Sequence, residues 1–221
     1  MTNSFELLEL LKKAGYLKSQ RDRLWWPNSG TFEVVVGAIL TQQTKWEKVE
    51  KSLENLKVAD VLSLEALANI DGRELSVLIK PSGFYNTKAK NILNLCKNMY
   101  NEYKTFEDFT NNVQRDWLLS QKGVGEESAD SILCYGCMRD EFVVDSYTAR
   151  LLDAFGFGFE SYGDLKEWMI EGIVSNIQKV YELYASEPPL YEIYARFHGK
   201  IVEYCKENSK GKIIQIEGLK S

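Results

Sequence analysis

Proline, histidine and alternating hydrophobic runs are scarce in this chain of 221 residues, which has four prolines and one histidine. Apolar residues recur instead at spacings of three and four, so an all-α protein is the expectation. No apolar run reaches the roughly 20 residues that a membrane span needs. The N-terminus also lacks the basic-then-apolar pattern of a signal segment. A cytoplasmic address with no membrane partner follows as an expectation. The four cysteines are Cys96, Cys134, Cys137 and Cys205. Cys134 and Cys137 form a CxxC inside a helical pattern, with no second pair or histidine cluster to complete a zinc site. They read as buried reduced thiols, and His198 reads as a packing residue in a helical run. The net charge of −5 counts against a nucleic-acid partner for the chain as a whole. Binding depends on local patches, however, so it does not exclude one.

What is present is a mixed-sign, 44% hydrophobic composition, enough for one large domain or two small ones. Ser4 is the candidate N-cap of a first helix that Gly15 ends. "RDRLWWPNSG" reads as an aromatic turn stopped by proline. "TFEVVVGAILTQQTKWEKVEKSLENL" reads as one long helix, interrupted by the polar patch Thr41-Gln42-Gln43-Thr44. Short helices follow in "SLEALANI" and "GRELSVLI". A turn from Pro81 to Gly83 leads into the helix "YNTKAKNILNLCKNMYNEY". "FVVD" reads as extended, with a helix from about Ser146. The tail "NSKGKIIQIEGLKS" is basic and low in packing signal, and is expected to fray.

The most informative corner is Gly123-Val124-Gly125, between an apolar helix and a polar helix start at Glu126-Glu127-Ser128. Glycines remove the Cβ atoms that keep a phosphate from the backbone. The next helix presents unpaired N–H groups and the positive end of its dipole. Loop carbonyls on the other side offer a place for a monovalent cation. Spacing alone equally allows an ordinary αα-corner, where a glycine merely caps one helix.

In sequence, "LLSQKGVGEESADSIL" resembles the helix-hairpin-helix of the endonuclease III superfamily of DNA glycosylases. "FVVDSYTARLL" resembles its "VDTHV.R" segment, "GAILTQQTKWEKV" its early glutamine-bearing helix, and "SGFYNTKAKNIL" its "GLYRNKAKNI" stretch. The four fall in family order over residues 28–155. Within the superfamily the likeness is greatest to the small 3-methyladenine DNA glycosylases, with "WWPN" and "YARFHGKIVE" extending it towards both ends.

The resemblance implies two helical lobes around a cleft. One is expected over residues 32–135, with the helix-hairpin-helix at about 113–135. The other is expected to combine residues 1–31 and 136–221. Asp145 matches the family's catalytic aspartate, and as a residue it also suits the N-cap of the following helix; the two roles are compatible. Family members place a wedge where Gln42 sits, with Gln43 beside it. Trp25, Trp26, Pro27 and Trp46 are the expected base-pocket walls, since aromatic faces attract a cationic base. Glu127 stands where bifunctional members keep a lysine nucleophile, so base removal without strand cutting is implied. Lys200 is expected to border the pocket in a neutral, paired or carbamylated form. Lys122, Gly123, Val124 and Gly125 are expected to hold DNA phosphates, together with Lys88, Lys90 and their neighbours Lys80 and Lys97. No cofactor is expected. Only Cys205 lies where the family's iron–sulfur ligands fall, so no iron–sulfur cluster is expected either. The implied activity is a monofunctional DNA-3-methyladenine glycosylase, acting as a monomer on double-stranded DNA with alkylated bases, nucleoid-associated in a bacterium. A mismatch or oxidised-base glycosylase of the same fold, or a non-catalytic helix-hairpin-helix DNA-binding module, remain the alternatives.

Overall fold

A computed structural model describes residues 1–18 and 22–219. The described chain is all-α, with thirteen α-helices and one two-stranded hairpin. In chain order the helices are α1 (Ser4–Lys13), α2 (Phe32–Leu40), α3 (Trp46–Val58), α4 (Leu64–Asn69), α5 (Gly72–Leu78), α6 (Tyr85–Tyr103) and α7 (Phe106–Asn112). They continue with α8 (Arg115–Ser120), α9 (Glu126–Ser131), α10 (Ser146–Ala154), α11 (Tyr162–Val174), α12 (Ile177–Tyr184) and α13 (Leu190–Glu207). No helix among the described residues is long and apolar enough to cross a membrane.

The chain divides into two compact units, one of residues 28–137 and the other of residues 1–27 with 138–221. In the first, α2 is hydrophobic almost all round, with Val34, Val35, Val36, Ile39 and Leu40 buried. Such a helix sits inside a core rather than on its surface. Amphipathic α6 supplies Ile92, Leu95 and Met99 to the same core. In the second unit α13 is central, burying Ile193, Phe197 and Ile201 with Leu7 and Leu8 of α1 and Leu151 of α10.

Three sequence expectations are corrected here. The stretch from Thr31 to Leu56 is two helices, not one. The Thr41 hydroxyl donates back to the carbonyls of Gly37 (3.0 Å) and Ala38 (3.1 Å), and Gln43 takes a left-handed φ of 52°. Side-chain competition for the helix carbonyls ends α2 there. Ser4 does not cap α1. Asn3 does, accepting from the Glu6 amide at 3.1 Å. Ser4 turns inward and donates to the Met169 carbonyl at 2.7 Å. A Cβ at Gly172 would lie 2.3 Å from the Ser4 hydroxyl, so glycine makes room for that contact. The tail does not fray over its described part; its last two residues lie outside the described chain. Strands β1 (Ser209–Lys210) and β2 (Ile213–Ile214) pair antiparallel. Ile214, Ile216 and Leu219 then bury against the core of their unit. Three apolar side chains spaced at two and three residues were enough to anchor a segment whose composition looked mostly polar.

Candidate functional site

In the second unit the site begins with Asp145. Val143 and Val144 bury the extended approach to it, and Asp145 then caps α10. Its Oδ1 accepts from the amides of Tyr147 (3.0 Å) and Thr148 (2.8 Å) and from the Thr148 hydroxyl (3.0 Å). This capping box spends one carboxylate oxygen on the helix and leaves Oδ2 for other work. Oδ2 lies 3.5 Å from Nε2 of His198, and the side chain keeps 13% exposure. Burial pushes the carboxyl upward. The His198 imidazole beside Oδ2 and the amide and hydroxyl of Thr148 outweigh burial, and hold it below the ordinary carboxylate value.

The ring of His198 meets Trp25 edge to face, with centroids 5.4 Å apart and planes at 83°. Trp25 has a positive φ of 78°. Gly199 explains how it is accommodated: a Cβ there would come within 2.5 Å of Trp25 Cγ. Trp25 and the His198–Gly199 step are thus packed together, though far apart in sequence. Trp26 is buried and Pro27 half-buried beside it in the chain. One turn of α13 carries both His198 and Lys200. Lys200 is 3% exposed, and its ammonium makes no hydrogen bond or ion pair among the described residues. Burial, then Arg196 and Lys12, pull it down to about 8, against the opposing pull of Glu203. Cys205 is buried below, its thiol 3.7 Å from the Tyr147 carbonyl and pushed up to about 12 by burial.

In the first unit the hairpin corner joins α8 to α9. Its two glycines do different jobs. Gly123 has φ +87°, and a Cβ there would stand 2.0 Å from Asn91 Nδ2, so backbone and packing both demand glycine. Gly125 has an ordinary φ of −94° and opens onto empty space, with no side chain capping α9. Its open face is where a phosphate oxygen can approach the helix amides. Lys122 beside it is exposed. Val124 is corrected as a phosphate contact: its side chain is buried, and its amide donates to the Gln121 carbonyl at 3.1 Å. Glu127 is exposed in the first turn of α9.

Gln42 reaches this corner, donating from Nε2 to the Gly123 carbonyl (2.9 Å) and to the Ser128 hydroxyl (3.0 Å). One of the hairpin carbonyls considered for a cation, that of Gly123, therefore already accepts a hydrogen bond. Gln43 next to it is exposed, and Trp46 begins α3 half-buried against the core of this unit. Lys90, Lys80 and Lys97 are exposed. Lys88 is corrected as a phosphate contact. It is 3% exposed and donates to the carbonyls of Leu40 (2.7 Å) and Ser82 (3.0 Å) and to the Thr44 hydroxyl (2.7 Å). One helix thus carries two kinds of lysine, Lys88 turned into the protein and Lys90 turned out of it.

Two residues escaped the sequence reading. His198 looked like core; its being the chain's only histidine is the signal that was there to use. Phe84 is 69% exposed at a left-handed φ of 46°, directly after Gly83. An aromatic in so unfavourable a backbone and so open a place is a reason to ask what it touches. Among the described residues no group of three or more histidine, cysteine, aspartate and glutamate side chains is placed to hold a metal ion. The four cysteines are free and do not gather into a cluster-binding set.

Residues 36–167 match the HhH-GPD superfamily base excision DNA repair protein family. A relative from Methanocaldococcus jannaschii, named "Putative DNA repair glycosylase MJ1434", is 37% identical over 219 residues, covering 96% of this chain and 93% of that one. The crystal structure of the H. pylori 3-methyladenine DNA glycosylase MagIII bound to 1,N6-ethenoadenine superimposes with a TM-score of 0.90 at 43% identity. That match covers 94% of this chain and 99% of the other. A trapped endonuclease III–DNA covalent intermediate matches with a TM-score of 0.72 at 18% identity, over 97% of this chain and 92% of that one, which speaks to the fold alone. The fold and site define a DNA glycosylase of base excision repair. The chain belongs to the HhH-GPD superfamily.

Proposed function

We propose that this chain is a monofunctional glycosylase that removes cationic alkylated purines, 3-methyladenine among them, from double-stranded DNA and leaves the strand uncut. The observation that carries the reading is the divided duty of Asp145. Three donors fix Oδ1 and leave Oδ2 out of the cap, on a side chain that keeps 13% exposure and a carboxylate held ionised. Loss of the base leaves positive charge on the sugar. An ionised carboxylate fixed in place stabilises that charge and orients water for attack. An alkylated purine already carries positive charge and leaves as a neutral base, so no strong acid is required of the enzyme.

Trp25, Trp26, Pro27 and Trp46 offer faces and edges that favour a cationic base over the ordinary ones. Glu127 stands where a related lyase keeps its lysine, and an anion there complements the same cation. Lys200 suits the reading as a neutral amine or as its carbamate, because a lasting cation would repel the substrate. Phosphates are held at Gly125 and the start of α9, by Lys122, and by the exposed Lys80, Lys90 and Lys97, so affinity falls steeply with salt. Gln42, Gln43 and Phe84 enter the duplex as the base leaves it. An exposed apolar side chain such as Phe84 is the type that separates base steps in other DNA-bending proteins. The protein works as a monomer, needs no cofactor and acts where the chromosome lies.

The test is mass analysis of the bases freed from methylated duplex DNA, with the strands run on a denaturing gel. The reading expects free 3-methyladenine and intact strands carrying abasic sites. Release of 8-oxoguanine or of mismatched adenine, with no methylated purine, would replace the substrate class. Cut strands would remove the monofunctional assignment.

A further inference from the structure

The loop 41–45 and the corner 82–84 are separate in sequence, and each carries a side chain that the proposed function sends into DNA. Gln42 and Gln43 lie on the loop, and Phe84 on the corner. Both segments close on the same buried ammonium. Lys88 gives one proton to the Leu40 carbonyl at the end of α2, one to Thr44 of the loop and one to the Ser82 carbonyl of the corner, at 2.7, 2.7 and 3.0 Å. Thr44 in turn donates to the Ser82 carbonyl at 2.6 Å and lies 3.1 Å from that of Gln42. The Ser82 hydroxyl donates to the Ile79 carbonyl at 2.8 Å, which ties the corner to the end of α5. An ammonium has three protons, and here all three are used.

We infer that Lys88 is a positioning residue for base flipping, locking the Gln42–Gln43 loop and the Phe84 corner into one rigid two-pronged wedge. The inference rests on the proposed insertion of those side chains. A lysine with every proton used inside the protein has none to offer a phosphate, and its value to DNA lies in what it holds still. Prongs tied to one buried cation enter the duplex in a fixed relation. Prongs on independent loops lose that relation, and small misplacements of reacting parts are costly. The cation also meets the carbonyl end of α2, where a positive charge is favourable.

The experiment measures excision from a duplex carrying one 3-methyladenine, either paired with thymine or facing an abasic site. A base without a partner needs little help to leave the stack. The variants are Lys88→Met and Thr44→Val, with Gln42→Ala and Phe84→Ala alongside. Thr44→Val keeps the side-chain shape and the buried cation, and so reports on the link even if Lys88→Met folds poorly. The inference expects both link variants to slow excision from the paired duplex about tenfold. With the abasic site opposite, it expects them to slow excision less than about twofold. A purely structural lysine would slow both duplexes alike. That result, or no slowing at all, overturns the inference if Gln42→Ala and Phe84→Ala still show the paired-duplex defect. If those two show no such defect, the insertion reading itself fails and takes the inference with it.

Discussion

Lys88 and Lys200 are equally buried, each 3% exposed, and burial draws each down to about 8. Their surroundings are opposite. Lys88 has an oxygen for each of its three protons, whereas Lys200 has no hydrogen-bonded partner among the described residues and has Arg196 and Lys12 among its electrostatic neighbours. A buried cation with every proton matched is part of the frame. A buried cation with none matched is strained toward neutrality, which is the state in which an amine reacts. Burial alone would class the two together, and partner count separates them.

Replacing each lysine by methionine sharpens that contrast, because the two changes have opposite signs. Lys88→Met leaves the Leu40 carbonyl and the Thr44 hydroxyl without this donor, and the Ser82 carbonyl with Thr44 alone, and is expected to lower unfolding stability by about 3 kcal/mol. Lys200→Met trades an unmatched ammonium for a similar apolar shape and is expected to raise stability by about 1 kcal/mol at neutral pH. Urea unfolding at pH 7 measures both. Equal losses would break the comparison.

A smaller effect is expected from pH. Lys200 has a folded value near 8, below its unfolded value. Between the two the unfolded chain binds a proton that the folded chain does not, so stability rises with pH across that window. Below about pH 8 both states are protonated and the penalty of burying the charge is present in full. Lys200→Met should flatten the alkaline rise in an unfolding series. Asp145 works in the same direction, in the acid range. Its depressed folded value gives stability that is present above the unfolded carboxyl value and is lost as pH falls through the folded one. His198→Gln should weaken that acid-side dependence, read from the same series. The smallest signal is chemical. Carbon-13-labelled bicarbonate should give a carbamate resonance in the native protein that disappears in Lys200→Arg.

Periodicity made most helices and both glycines of the corner legible in the sequence. It could not tell one long helix from two at Thr41-Gln42-Gln43-Thr44, because the break comes from a threonine hydroxyl on its own helix and a lysine 44 residues beyond Thr44. Lys88 and Lys90 looked alike for the same reason: which lysine turns inward depends on oxygens supplied by distant segments. Asp145 was readable as the cap of α10 because an aspartate directly before a helical run suits that position. His198 was not, since nothing in a helical run marks which face meets an aspartate 53 positions earlier. Gly199 gained its meaning only once Trp25 lay against it.

The most direct measurement is single-turnover base release from a methylated duplex by the native protein and by Asp145→Asn, with DNA affinity measured on the same samples. The account predicts that release falls by at least about a hundredfold while affinity stays within about twofold. Release at the native rate would contradict it, because the carboxylate that α10 holds in place would then have no part in the chemistry.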